Sequence, residues 1–245
     1  MENAAYIALS RMVAQQRALE VRADNIANMN TPGYKAEAVL FSDYLVRQRD
    51  VTSVPGGRTE QMVQDRATWR DVTAGQVSKT GNSLDVALAG DGFFAVGTAR
   101  GERYTRAGRF TLSATGQIVD MRGNTVLGTD SRPITIPPSD TRIEIASDGT
   151  ISTESGPVGK FRVVQFDDRQ QLKAEGTTLF ASAQPPRVDP QPSVMQGAVE
   201  AANVQSIVEV TQMMSEQREF EFASQFVDAE STREQSVIDH LLRPG

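Results

Sequence analysis

Leu84-Asp85-Val86-Ala87-Leu88-Ala89-Gly90-Asp91-Gly92 is the stretch at which the hydrophobic pattern of this chain changes period. Leu84, Val86 and Leu88 alternate with Asp85, Ala87 and Ala89 up to the turn Gly90-Asp91-Gly92, the period-two reading of a strand. Further short runs follow at 93–96, 109–112, 117–121, 134–136, 143–145 and 161–166, bounded by turn residues such as Arg122-Gly123-Asn124 and Asp148-Gly149. Many short strands with no helical pattern between them predict an antiparallel β domain. A barrel and a sandwich fit the pattern equally.

Outward from this centre the pattern is helical on both sides. Residues 2 to about 28 contain no Gly or Pro, and Ala5, Leu9, Met12, Gln16, Leu19, Ala23 and Ile26 recur at alternating steps of four and three. That is a heptad seam. Its alanines and glutamine make it lean, so the helix alone would be marginal in water and needs a partner. It stops at Asn28-Met29-Asn30-Thr31-Pro32-Gly33-Tyr34, where Pro32 biases Thr31 away from helical geometry and Gly33 can take a positive φ. Residues 35–77 are weakly periodic and charged, with Pro55-Gly56-Gly57 in the middle. They read as an extended connector with one short helix at about 41–49. Downstream, Pro185, Pro186, Pro190 and Pro192 stiffen an extended linker that closes the β domain. From 198 to 243 the chain is again free of Gly and Pro. Its apolar positions fall in sets, Ile207, Val210 and Met214, then Phe220, Ala223 and Val227, then Ile238 and Leu241, with a phase shift between them.

The predicted fold class is therefore α+β. Discontinuous terminal helices, 1–34 and 197–243, form a coiled-coil-like domain; 35–77 is a connector; and 78–196 is the central antiparallel β-rich domain with its Pro-rich linker. The two thin seams can be buried against each other or against copies in neighbouring molecules, or the helices can merely cap one face of the β domain. On the pattern alone the two arrangements weigh about equally.

Composition narrows the function. The 245 residues carry 25 Lys+Arg against 31 Asp+Glu, a net charge of -6, which is the wrong balance for nucleic acid or anionic lipid. The absence of cysteine removes disulfides, thiolate metal sites and thiol catalysis. No apolar stretch approaches the roughly 18 residues a bilayer requires, and no secretory signal is visible at the N-terminus. The one histidine, His240, has no catalytic motif around it. Ser78-Lys79-Thr80-Gly81 contains a Lys-Thr-Gly without the Ser-x-x-Lys that would give it a nucleophile. No metal or cofactor set is legible, and the aspartate of Gly90-Asp91-Gly92 is read as a turn former. The reading is of a protein without catalytic activity or cofactor.

Three blocks carry a family resemblance. Asn25-Ile26-Ala27-Asn28-Met29-Asn30-Thr31-Pro32-Gly33-Tyr34-Lys35 resembles the run that flagellar axial proteins carry just after their first helix. Thr80-Gly81-Asn82-Ser83-Leu84 through Gly92-Phe93-Phe94-Ala95-Val96, continued by Tyr104-Thr105-Arg106-Ala107-Gly108-Arg109-Phe110, resembles the start of the β domain in rod and hook proteins. Gly197, Asn203-Val204, Glu209, Met213-Met214 and Gln217-Arg218-Glu219-Phe220-Glu221 are similar to the C-terminal helix of those proteins. The chain is identified as a member of the flagellar basal-body rod family, its opening Met1-Glu2-Asn3-Ala4-Ala5-Tyr6 and its length most like the proximal-rod branch, with the distal-rod branch next.

That resemblance implies a structural subunit, exported by the flagellar type III apparatus without a cleaved signal and assembled in the periplasm into a hollow shaft. The shaft's inner wall would be a coiled coil of N- and C-terminal helices, and its partners would be itself and the other proximal and distal rod proteins. Under it, Leu9, Met12, Leu19 and Ile26 on the first helix, and Ile207, Val210, Met214 and Phe220 on the second, are the candidate assembly interface. Asn28, Asn30, Thr31, Pro32, Gly33, Tyr34, Asn203, Gln217 and Arg218 are the family's marker positions. The competing expectation is a secreted β-domain binding module that its helices merely oligomerise.

Overall fold

The structure, a computed structural model, describes residues 2–48 and 58–242. The chain divides into two compact units. One comprises 1–26, 37–69 and 205–245, and the other 27–36 and 70–204.

The first unit contains helix α1 (Glu2–Ala27), strands β1 (Glu37–Gln48) and β2 (Arg58–Arg70), which pair as a two-stranded sheet, and helix α2 (Ser206–Leu242). The expected short helix at 41–49 is thus corrected to a strand. An apolar run rich in Val, Leu, Phe and Tyr reads as strand as well as helix, and the pairing partner at 58–70 settles the choice. Pro55-Gly56-Gly57, the far C-terminus at Pro244 and Gly245, and the side chains of Ala5, Ile238, His240 and Leu241 lie outside the described residues.

The second unit is the β domain. After strand β3 (Val77–Lys79) come β4 (Val86–Ala89), β5 (Phe93–Thr98) and β6 (Gly101–Thr105), and β5 lies inside a nine-stranded sheet. In that sheet β5 pairs antiparallel with β6, with Thr125–Val126 and with Val163–Gln165. The run Phe93-Phe94-Ala95-Val96 is continuous rather than alternating because both of its faces are covered. Phe94 and Val96 point into a large apolar cluster with Phe110, Ile118, Val126 and Phe161. Phe93 and Ala95 point into a second cluster with Tyr104, Leu127, Val164 and Phe180. Edge-to-face ring pairs stitch each cluster, Phe94 with Phe110 and Phe161 on one side, Phe93 with Phe166 and Phe180 on the other. Such pairs add about 0.5–1.5 kcal/mol beyond area burial.

The domain does not close at the prolines. Arg187–Val188 pairs with Val163–Gln165, Ser193–Gln196 pairs with β4, and Ala198–Glu200 pairs with β3. The C-terminal helix therefore starts at Ser206 and not near 197. Freedom from Gly and Pro permits a helix without requiring one, and Ala198, Val199 and Glu200 are buried in a strand ladder instead. Gly197, at φ 72°, is the hinge of that last strand pair, its N–H donating to Asp85 and its carbonyl accepting from Thr80 and Gly81.

Candidate functional site

The family markers after α1 lead into a buried ion cluster of the β unit. Glu200, only 1% exposed, stands at its centre. Its Oε1 accepts from Lys35 Nζ at 2.5 Å and from the Gly75 N–H at 2.9 Å; its Oε2 accepts from Arg106 Nε at 2.8 Å and lies 2.6 Å from Nη2. Its backbone carbonyl accepts the Gly33 N–H at 2.7 Å. Lys35 Nζ also donates to Thr73 O at 2.5 Å, and Arg106 Nη1 donates to Gly90 O at 2.8 Å and to Gly92 O. So the Gly90-Asp91-Gly92 turn presents carbonyls to a buried arginine, while Asp91 itself pairs with Arg169 at 2.7 Å. Burial pushes the Lys35 ammonium below the usual lysine range, and the neighbouring Glu200 opposes that shift. Two cations around one carboxylate, with backbone groups filling the remaining lone pairs and protons, is the geometry that makes buried charge tolerable. Removing one partner would leave an unpaired buried charge, at about 3–5 kcal/mol.

Around the cluster, the marker residues find concrete uses. Thr31 N–H closes the turn on Asn28 O at 2.9 Å, and Tyr34 N–H bonds back to Thr31 O at 3.2 Å. Pro32 sits in this turn and Asn30 is exposed on it. Gly33 has φ 68°, and a Cβ there would lie 2.2 Å from the backbone nitrogen of Ala107, so only glycine fits. Tyr34 is buried with the Arg70 guanidinium 5.0 Å from its ring centre. Asn203, on the opposite approach, accepts from the Ala36 N–H at 2.7 Å and donates to Asp71 O at 2.7 Å and Thr73 O at 3.3 Å. Lys35, Arg106 and Glu200 are the residues that sequence reasoning missed. Lys35 and Arg106 stand inside the resembling blocks, but nothing in the pattern marks a charged residue as buried.

In the helical unit, α1 and α2 are linked side chain to side chain. Gln15 donates to Glu219 at 3.2 Å, and Arg22 bonds Glu216 at 3.3 Å and Glu209 at 3.1 Å. Rising numbers on α1 meet falling numbers on α2, so the helices run antiparallel. On α1 the buried positions are Ala14, Ala18, Val21 and Asn25, which keep the four-and-three spacing in a phase shifted from the expected seam, with Gln15 buried beside Ala14. Asn25 exchanges two 2.9 Å bonds with the backbone of Glu37 and so pins the helix end to β1. Of the candidate residues, Met12, Leu19 and Ile26 are half-buried on an intervening face, and Leu9 is exposed together with Val13 on the opposite one. On α2 the inward positions are Glu209, Met213, Glu216, Phe220, Ala223 and Val227. Phe220 is therefore on the in-chain face, while Ile207 (82% exposed), Val210 and Met214 line the reverse side. Ile7, Ala8, Phe222, Ala223 and Phe226 make an apolar groove between the two helices, with Arg11, Arg218 and Glu219 on its rim. Gln217 donates to Glu221 at 3.3 Å on the exposed surface.

Both helices are thus apolar on two faces, one used within the chain and one left outward, and among the described residues no cluster of His, Asp or Glu could hold a metal. The described chain is a helix at either end of a β-rich middle. Comparison with known proteins agrees over the whole length. Residues 6–35 match the flagella basal body rod protein family, 87–153 the flagellar hook protein FlgE/F/G D1 domain, and 195–239 the C-terminal family of flagellar basal body rod FlgEFG proteins. The basal-body rod protein FlgF of Caulobacter vibrioides is 35% identical over 98% of each chain. FlgF of Mesorhizobium japonicum is 31% identical over 90% of each, and FlgG of Agrobacterium fabrum is 33% identical over 90% of this chain and 92% of its own. The chain belongs to the flagellar basal-body rod protein family, whose members are structural proteins and not enzymes. Within that family it is FlgF-like.

Proposed function

We propose that this chain is a structural subunit of the flagellar basal-body rod that polymerises through α1 and α2, with itself and with other proximal and distal rod proteins, into the hollow shaft that carries torque from motor to hook. The observation that carries the reading is the second apolar face of each helix. Leu9 on α1, and Ile207, Val210 and Met214 on α2, point away from the in-chain faces and are unfavourable in water until another chain covers them. In the rod, the helices of neighbouring subunits would cover these faces in a coiled coil, joined by Met12, Leu19 and Ile26 from the flanks, while Phe220 stays on the in-chain face. There α1 and α2 would act together as one assembly domain.

Export through the flagellar type III apparatus without a cleaved signal belongs to the same proposal, supported by the family resemblance and the cysteine-free composition. No helix among the described residues is long and apolar enough to cross a membrane, and the net charge of -6 argues against nucleic acid as a partner. A secreted binding module is not favoured, since the relatives match over both helices and the β domain together. Mass spectrometry of purified hook-basal bodies, stripped of membrane, tests the assignment. Retention of the chain with the rod is expected, and its absence from intact rods would overturn it.

A further inference from the structure

The helical unit carries two apolar features that differ in shape and in place. One is a ridge on the reverse side of α2, where Ile207, Val210 and Met214 recur at steps of three and four and are all exposed. The other is a groove of about 580 Å³ walled by Ile7 and Ala8 of α1 and by Phe222, Ala223 and Phe226 of α2. Phe222 and Phe226 stay exposed on it. Val210 on the ridge and Phe222 in the groove are twelve residues apart on one helix, about 18 Å along its axis and about a third of a turn around it. The ridge therefore cannot fill the groove of its own chain. The two features also match in charge. Between 206 and 215 the ridge helix has a single charged residue, Glu209, and it turns inward to Arg22 at 3.1 Å. The groove keeps its charges at the rim, where Arg11 lies 3.8 Å from Glu219 and Gln15 donates to the same carboxylate at 3.2 Å. A charged occupant would be desolvated against apolar walls without a partner, whereas an uncharged apolar ridge gains from the same burial.

We infer that the ridge of one copy of this chain seats in the groove of the next, in a head-to-tail contact. The two patches are different and displaced along the helix, so the contact is heterologous: a copy whose groove is filled still offers its own ridge, and the contact repeats from chain to chain instead of stopping at two. A symmetric contact of groove on groove would bury Phe222 and Phe226 but would end at a dimer. The inference deepens the rod reading and rests on it, since it names the surface of the neighbour that covers Ile207, Val210 and Met214 and makes that neighbour a second copy.

The chain has no cysteine, so an introduced pair reports without background. In Met214→Cys/Ala223→Cys the two positions lie nine residues apart on α2, about 14 Å along the axis and beyond the roughly 7 Å between Cα atoms that a disulfide spans, so any bridge joins two copies. Rods purified from cells producing this variant, oxidised and run on a denaturing non-reducing gel, should show a ladder of dimers, trimers and longer species. Met214→Cys and Ala223→Cys produced together as separate chains should give dimers and no trimers, and either one alone should stay at the mass of a single chain. Met214→Cys/Ala8→Cys, which probes the opposite wall of the groove, should give the same ladder. Dimers from Ala223→Cys alone would reveal a groove-on-groove contact and overturn the inference. So would double variants that are present in the rods and stay unbridged. Both results leave the rod reading standing, whereas absence of the cysteine-free parent from intact rods would sink that reading and this inference with it.

Discussion

At the residue scale, the most constrained positions are those where backbone passes backbone. Gly33 combines a left-handed φ of 68° with a Cβ position 2.2 Å from Ala107 N. Left-handed geometry alone costs an L-residue roughly 1–2 kcal/mol, and the clash adds to it. Gly33→Ala is therefore expected to lower the unfolding free energy by more than about 2 kcal/mol in a urea titration, with unchanged m-value. Tyr104 makes a pH prediction. Burial, reinforced by Glu102, pushes its phenol up to about 12. A folded value above the unfolded one means that this stabilisation is complete below pH 10 and is lost as pH rises from there through about 12. Tyr104 should ionise late in an absorbance titration, and Tyr104→Phe should diminish the late component while flattening the loss of stability above pH 10.

At the scale of elements, the two faces of α2 separate folding from assembly. Phe220 is half-buried on the inward face, so Phe220→Ala should cost roughly 2 kcal/mol, less than the 3–5 of a fully buried phenylalanine. Ile207 is exposed, and Ile207→Asp should change the stability of the isolated chain by no more than about 0.5 kcal/mol. In cells the order should reverse. Ile207→Asp places charge in a face that assembly must dry, and it is expected to abolish incorporation into purified basal bodies, whereas Phe220→Ala is incorporated at reduced yield. Equal incorporation of the Ile207→Asp chain would mean that the reverse face is not an interface. On α1 the small residues Ala14 and Ala18 allow close approach along the in-chain face, with Gln15 and Arg22 beside them making the polar links to α2. This is why the seam reading, which rewards large apolar side chains, selected Leu9 and Met12 and passed over the positions that are buried.

At the scale of the whole molecule, apolar burial is concentrated in the β unit, whose two clusters hold the phenylalanines of β5 between them. Limited proteolysis of the dilute chain should therefore cut within 1–26, 37–69 and 205–245 before it cuts within 70–204, and mass spectrometry of the products reads the order. Prior cleavage inside the sheet would reverse this ranking. The sequence by itself determined the layout, helices at both ends with β structure between, because period and punctuation are local properties. It also determined the family, since Thr31-Pro32-Gly33-Tyr34 and Asn203 mark positions that geometry allows few residues to fill. Only the tertiary structure decided that 37–48 is a strand, that 198–200 returns to the sheet before α2 begins, and that Lys35, Arg106 and Glu200 share one buried site. Each of those depends on a partner that is remote in sequence: a short apolar run takes its period from whatever pairs with it, and a charged residue can be buried only where opposite charge and backbone groups meet it.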